Sequence, residues 1–288
     1  CERAYRMGLA GKGIGVAVLD TGIFLHRDFD SRVTGFADMV NRRNFAYDDC
    51  GHGTHICGII GGSGRMSGGR YSGIAPGCNL IMVKVLDRKG NGYSSDVLAG
   101  ISWVLERKEQ LGIRILNISV GACSKRGMSE NSALVKGVIR AWDAGLVVVV
   151  AAGNNGPRTM SITTPGISRK VITVGCSDDD REVLVGGNRM VDYSGRGPTA
   201  ACICKPDLVA PGCSVVSCSS RADKYTIKSG TSMSTPIVSG AVALLLERFP
   251  DMSNKDVKLR LRESSVDIGL PRNQQGWGLL DVGKMLER

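Results

Sequence analysis

Apolar residues recur along the chain in two alternating patterns. Five short runs are apolar at nearly every position: IGVAVL (14–19), NLIMVKVL (79–86), IRILNISV (113–120), LVVVVAA (146–152) and VITVG (171–175). Runs of this length, rich in Val and Ile, predict strands buried on both faces, as in a parallel sheet covered by helices. Between them, apolar residues return every three or four positions. SSDVLAGISWVLERKEQLG (94–112) and NSALVKGVIRAWDAG (131–145) predict amphipathic helices, each closed by a glycine. TSMSTPIVSGAVALLLERF (231–249) is apolar almost all round and predicts a helix through the core. NKDVKLRLRES (254–264) and DVGKMLER (281–288) read as surface helices. The alternation predicts an α/β fold, a central, mostly parallel sheet with helices on both faces. With no repeat or linker in view, residues 1–288 read as a single domain.

Composition changes this picture little. Apolar residues make up 42% and charged residues 22%, an ordinary globular balance. The 39 glycines, against 5% aromatics, point to tight turns and close backbone approaches. No apolar run reaches the roughly 20 residues of a membrane span, so no membrane partner is expected. A net charge of +10 would suit nucleic acid, but the Lys and Arg are dispersed, as in NRRNF, RADKY and DVKLRLRE. Without a basic tract interleaved with aromatics, a solvated basic surface and no nucleic-acid partner are expected. The ten cysteines, at 1, 50, 57, 78, 123, 176, 202, 204, 213 and 218, are too sparse for a small-domain disulfide framework. Cys57 and Cys176 sit in apolar segments, where a thiol behaves as a small hydrophobe. Mostly unpaired thiols are therefore expected, which leans toward a reducing, cytoplasmic setting and leaves secretion open. Cys202 and Cys204 have no second close pair at zinc-knuckle spacing. The chain begins at Cys1, with no signal peptide in view.

The chemistry concentrates in four places. Two of the three histidines, His52 and His55, lie in GHGTHICGII (51–60), between Cys50 and Cys57. Zinc, a catalytic imidazole, or a packed helix start would each use these residue types. Zinc needs three or four converging ligands, whereas one helical turn supplies two histidines. In a parallel sheet, ligands gather beyond the carboxyl ends of the strands. Asp20 ends VAVLD, Asn154 follows VVVVAAG, and Ser232 in SGTSMSTP opens the long apolar helix. A serine hydroxyl is a weak nucleophile until a base takes its proton. A histidine can do so near neutral pH, and a buried carboxylate fixes its tautomer. A serine at a helix N-terminus adds backbone N–H groups and the positive dipole end for an oxyanion. Gly230 permits a sharp turn before Ser232, and Pro236 falls in the first turns, where a missing N–H costs least. GKGIG (11–15) imitates part of a dinucleotide fingerprint, but its glycines precede a strand instead of following one.

VAVLDTGI, GHGTHICG, NISVG, AAGNNG and SGTSMSTP, joined by SGRGP and KPDLVAPG, resemble the subtilisin-like serine peptidases, the subtilases. The likeness holds in order and content from about residue 8 to the end, and the Asp, His, Ser order is that of subtilisin itself. It implies a three-layer subtilisin-like fold and a serine endopeptidase with Asp20, His52 and Ser232 as triad. Asn154 would complete the oxyanion hole with the Ser232 backbone, supported by Thr231, and His55 would be a packed helix residue. Ser119, Val120 and Gly121 would pair with an extended substrate, with Gly90, Asn91 and Gly92 as the opposite rail. Ala152, Gly153 and Asn155 would join Val120 and Gly121 around the pocket for the residue before the scissile bond, with Thr163 or Thr164 near its base. None of these is acidic, which implies broad specificity for large apolar or uncharged residues; Asp96 is the acidic residue nearest the rails. The rival is a non-catalytic binding protein of the same fold.

The resemblance also bears on ions and partners. Many subtilases bind calcium through an acidic or amide-bearing loop after the catalytic helix and a carboxylate near the position of Asp28. Here that loop reads GGSGRMSGGRYSG (61–73), without Asp, Glu, Asn or Gln, so the tight calcium site is expected to be absent. Other calcium sites stay open, and no cofactor or further metal is expected. Protein or peptide substrates, an inhibitory pro-segment absent from residues 1–288, and a monomeric state complete the expectation. Cys50 borders His52, where a cation could acidify its thiol; His26 lies outside every motif.

Overall fold

The computed structural model describes residues 1–121 and 130–287; of the predicted features, Cys123 lies outside the described residues. The five predicted strands form close to their expected limits: β1 Gly15–Asp20, β3 Asn79–Lys84, β4 Ile113–Ile118, β5 Val147–Ala151 and β6 Ile172–Cys176. Every residue of β1, β5 and β6 is buried, which is why their sequences show no alternation. Two further strands complete the seven-stranded sheet, β2 Val33–Asp38 and β9 Leu208–Ala210. Their sequences hide them for different reasons. β2 is half-exposed except at Asp38, so it carries no apolar run, and β9 is only three residues long.

The chain divides into two compact units of three segments each. The first comprises residues 1–117, 216–227 and 239–251, the second 118–215, 228–238 and 252–288. In the first, the strand order is β2-β3-β1-β4; in the second, β5-β6-β9. All recorded pairings in this sheet are parallel. In the first unit, β1 and β3 run in register from Gly15 opposite Asn79 to Asp20 opposite Lys84. That register sets Asp20 and Lys84 side by side at the strand ends. In the second unit, Cys176 at the end of β6 lies opposite Ala210 at the end of β9. Two small ribbons stand apart from the sheet, β7 Val183–Val185 with β8 Asn188–Met190, and β10 Val215–Cys218 with β11 Tyr225–Lys228.

The helices cover the sheet. α1 is the short Glu2–Arg6; α2 His52–Gly61 and α3 Ser94–Arg107 pack on β1, and α4 Ala133–Asp143 packs on β5. α5 Thr231–Arg248 starts in the second unit and ends in the first. Val238 and Ala241 through Leu246 are fully buried, as the all-round apolar pattern predicts. Each of its three consecutive leucines contributes roughly 1.5–3 kcal/mol by burial. Gly240 is required within it: a Cβ there would stand 2.6 Å from the Ile74 Cβ. Pro236 is the sixth residue of α5 and lies beyond the free first turn, so the carbonyl of Ser232 loses the N–H that an ordinary residue would supply. α6 Asn254–Ser264 begins in a capping box between Ser253 and Asp256. The short α7 Arg272–Gln275 follows, and α8 spans only Val282–Met285 of the predicted 281–288. Among the described residues, no helix is long and apolar enough to cross a membrane.

Candidate active site

In the first unit, the predicted acid and base meet. Asp20 ends β1 with a fully buried side chain, and His52 is the first residue of α2 with its side chain 22% exposed. His52 Nδ1 lies 2.8 and 2.9 Å from the two Asp20 carboxylate oxygens. A carboxylate only accepts, so Nδ1 carries the proton and Nε2 keeps the lone pair of a base. The Thr21 N–H also donates to Asp20 Oδ1, at 2.7 Å, and helps to fix the carboxylate.

Two residues that the sequence reading did not single out hold this pair. Asp48 accepts five hydrogen bonds, from the Cys50, Gly51 and Thr54 N–H groups and the Thr21 and Thr54 hydroxyls, at 2.5–3.1 Å. It thus satisfies donors at the start of α2 and ties that helix to the turn after β1. Lys84 is fully buried, and its Nζ donates to the Thr21 carbonyl at 2.6 Å, to Asp49 at 2.7 Å and to the Leu86 carbonyl at 2.8 Å. Each left a signal in the sequence: an Asp just before a helix start, and one charge inside the apolar run NLIMVKVL. The approach of α2 to β1 depends on Gly53, where a Cβ would lie 2.2 Å from the Gly22 carbonyl oxygen.

The two histidines of the opening cluster part company. His55 is fully buried and its Nε2 pairs with the Thr226 carbonyl at 3.2 Å, while His52 faces Asp20. Burial pushes the Cys57 thiol well above its ordinary range, and Asp20 and Asp48 push it further, so it stays neutral. The predicted rail at Gly90, Asn91 and Gly92 is exposed. It is shaped by Asp87, which accepts from the Lys89 and Asn91 N–H groups at 2.8 and 2.9 Å while its own N–H donates to the Asn91 carbonyl at 2.7 Å. Those backbone donors hold the Asp87 carboxyl below its usual range. Asp96 is half-exposed in the first turn of α3.

In the second unit, the predicted nucleophile and oxyanion residues meet. Ser232, second in α5, donates its hydroxyl to the Ser119 carbonyl at 2.7 Å, so the long helix reaches the end of β4. Asn154 Oδ1 accepts from both the N–H and the hydroxyl of Thr231 at 3.0 Å. An N–H can only donate, so the amide orientation is determined and the Nδ2 group faces away from Thr231. Thr231 Oγ1 also receives the Gly153 N–H at 3.2 Å, which fixes the turn after β5. Gly230 adopts φ +140°, and its N–H donates to the Gly212 carbonyl at 3.0 Å.

The predicted pocket walls also assemble here. A Cβ at Gly121 would stand 2.2 Å from Thr163 Oγ1, and one at Gly153 would stand 2.4 Å from Thr163 Cγ2. Thr163 is buried and donates its hydroxyl and its N–H to the Ala152 carbonyl, at 3.2 and 2.9 Å. Of the two threonines considered, Thr163 is the one lying between the Gly121 and Gly153 backbones. Val120 and Asn155 are half-exposed beside them, and Ala152 is buried. The second unit thus joins a helix-borne hydroxyl, an oriented amide and a glycine-lined slot.

A model of the subtilase family matches residues 11–278. The chain belongs to the subtilase family of serine peptidases. Among curated relatives, this subtilase is similar to serine protease AprX of Bacillus subtilis (strain 168), 43% identical over 274 residues. That alignment covers 89% of this chain but 62% of the relative, so the chain spans less than two thirds of that protein. It is also similar to a thermostable alkaline protease of Halalkalibacterium halodurans, 34% identical over 283 residues, covering 98% of this chain and 70% of the relative. Among solved structures it is similar to sphericase, with a TM-score of 0.79 at 31% identity over 94% of this chain and 92% of the other. A cold-adapted subtilisin-like serine proteinase gives 0.75 at 29%, over 95% and 88%. These neighbours share the three-layer subtilisin-like architecture expected from the motifs.

Proposed function

We infer that this subtilase is a serine endopeptidase with Asp20, His52 and Ser232 as its catalytic triad. The observation that carries the reading is the double contact of His52 Nδ1 with the buried Asp20 carboxylate, which leaves Nε2 as a base. Ser232 Oγ attacks the scissile carbonyl carbon while its proton passes to Nε2, in exchange for the resting bond to the Ser119 carbonyl. The oxyanion formed accepts hydrogen bonds from Asn154 Nδ2 and the Ser232 N–H, at the positive end of α5. The imidazolium, stabilised by Asp20, gives its proton to the leaving amine, and water then releases the acyl group by the same steps in reverse roles. Thr231 acts through Asn154, holding its Oδ1 so that Nδ2 is presented before substrate arrives.

An extended substrate pairs by strand-like hydrogen bonds with Ser119, Val120 and Gly121 on one side and Gly90, Asn91 and Gly92 on the other. The slot of Val120, Gly121, Ala152, Gly153, Asn155 and Thr163 takes the residue before the scissile bond. It lacks a carboxylate, and a buried Arg or Lys without a partner is costly, so Phe, Tyr, Leu or Met is preferred, with modest discrimination. Unfolded proteins and exposed loops are the substrates, and an inhibitory pro-segment remains a candidate partner. An organophosphonate probe followed by peptide mapping tests the reading. The expected adduct is on Ser232, lost in Ser232→Ala, and an adduct elsewhere overturns the assignment. Profiling a peptide library tests the pocket, for which a dominant Arg or Lys preference is the contrary result.

A further inference from the structure

Away from Ser232 and Asn154, the second unit brings together two thiols and a carboxylate. Cys176 ends β6, Asp178 follows two residues later, and Cys213 lies just past β9; their sulfur and oxygen atoms all fall within 4.8 Å of one another. Cys176 is buried, whereas Asp178 and Cys213 are half-exposed, so the cluster opens to solvent on one side. We propose that Cys176, Asp178 and Cys213 form a binding site for a thiophilic divalent cation of the zinc class, with water in the fourth position.

Each part of the cluster suits that ligand. Two sulfurs and one oxygen are the donors zinc prefers, and a tetrahedral site with Zn–S near 2.3 Å and Zn–O near 2.1 Å has S···O edges of roughly 3.6 Å. Cys176 Sγ is 3.1 Å from Asp178 Oδ1, so the carboxylate already lies against the thiol. The carboxylate is held for the task. Its Oδ1 receives the Gly212 and Cys213 N–H groups at 2.7 and 3.1 Å, and among the described residues Oδ2 takes no recorded hydrogen bond. The Tyr193 hydroxyl, fully buried, lies 3.2 Å from both sulfurs and can donate to a ligating thiolate, the kind of outer support metal ligands use.

A second buried cluster, His26, Asp28 and Cys218, shows by contrast what an unsuitable one looks like. There Asp28 Oδ1 takes the Met66 N–H and Oδ2 the Tyr225 hydroxyl. His26 uses Nδ1 on the Asp28 N–H and Nε2 on the Lys224 carbonyl, so the imidazole and both carboxylate oxygens are already engaged. The Cys176 site has a further structural consequence. A cation there ties Cys213 and Asp178 together, and with them Gly212, whose carbonyl receives the Gly230 N–H two residues before Ser232.

The test is spectroscopic and independent of proteolysis. Reduced protein titrated with Co²⁺ should develop sulfur-to-cobalt charge-transfer bands and tetrahedral d–d absorption that saturate at one equivalent and vanish on adding Zn²⁺. Cys213→Ser and Asp178→Ala should weaken Co²⁺ binding at least tenfold, with melting curves confirming that both variants fold. A Cys202→Ser/Cys204→Ser double variant, which removes the exposed sequence-adjacent pair, should keep the bands. Absence of the bands in the reduced protein, their persistence in folded Cys213→Ser, or their loss in the double variant overturns the site.

Discussion

The Asp20–His52 region and the Ser232–Asn154 region both need glycine at close approaches, Gly22 and Gly53 in the first, but differ in how their side chains are anchored. The first is anchored by added charge: Asp48 gathers five donors, and buried Lys84 pins three oxygens around the turn after Asp20. The second is shaped by side chains left out: at Gly121, Gly153 and Gly212 a single Cβ would lie 2.2–2.4 Å from a neighbouring atom, and Gly230 occupies a φ that favours glycine. A base must be held in one tautomer and orientation, which charge accomplishes. A nucleophile and an oxyanion donor must let a substrate backbone come close, which absent atoms accomplish. The first region should therefore be the one that fails when charge is removed, while added atoms should break the second at its slot as they would the first at Gly53.

The most severe break comes from the reacting groups themselves. Ser232→Ala, His52→Ala and Asp20→Ala should each lower kcat by about 10⁴–10⁶, the scale known from subtilisin, a member of this same family. Double variants should be little worse than singles if, as proposed, the three residues act as one catalytic group. Near-additive losses in kcat would overturn that assignment. Next in size, Asn154→Ala should lower kcat by about 10²–10³ with KM nearly unchanged, again a magnitude taken from subtilisin. A change confined to KM would move Asn154 to substrate binding.

The contrast itself is tested by an exchange of insults. Asp48→Ala leaves several donors at the start of α2 without their acceptor and should cost about 3 kcal/mol of stability as well as activity. Gly153→Ala should cost a similar amount of order 3 kcal/mol through overpacking and its positive φ, because φ there is +92° and Thr163 Cβ stands 3.0 Å from the added methyl. Denaturant melts read both. If Gly153→Ala is neutral while Asp48→Ala is not, charge anchoring dominates throughout the molecule.

Much of this was legible in the sequence, because burial on both faces writes itself as uninterrupted apolar runs and the reactive groups sit in glycine-rich motifs at strand ends. What escaped did so for physical reasons. β2 is half-exposed and β9 is too short to show a period. Asp48 and Lys84 belong to no motif that would perform a reaction, so their importance emerges only from the donors and acceptors they meet. The Cys176–Asp178–Cys213 cluster joins residues 37 apart through the pairing of β6 with β9, which no local spacing announces.

Among the described residues each unit also buries a lysine, and that of the second unit, Lys205, carries a pH signature. Lys205 Nζ reaches the Val171 carbonyl, the Thr173 hydroxyl and Asp207, yet burial brings its pKa down to about 8. An unfolded lysine titrates near 10.4. Between these values the unfolded chain holds a proton that the folded chain has released, so the lysine's contribution to stability rises with pH across that window, by at most about 1.4 kcal/mol per unit. Relative to Lys205→Met, the wild type should gain stability from pH 8 to 10 in denaturant melts. A difference that stays flat or falls would mean that Asp207 keeps Lys205 charged.

The smallest effect is expected from removing calcium. The tight site expected to be absent would lie near Asp28, whose oxygens already receive the Met66 N–H at 2.9 Å and the Tyr225 hydroxyl at 2.6 Å. Burial and the Asp28 carboxylate push the Tyr225 phenol up, so it remains a donor at every pH of interest. Calcium takes six to eight oxygens, and residues 61–73 offer only backbone carbonyls and hydroxyls. We propose that this hydrogen-bond network stands in place of an ion at Asp28. Adding a chelator should shift Tm by less than about 2 °C, under ~1 kcal/mol for a domain of this size. Tyr225→Phe, which strips a donor from Asp28 while keeping the ring that packs on Tyr71, should lower Tm more than the chelator does. A fall of tens of degrees on chelation would show that an ion, rather than Tyr225 and Met66, neutralises Asp28.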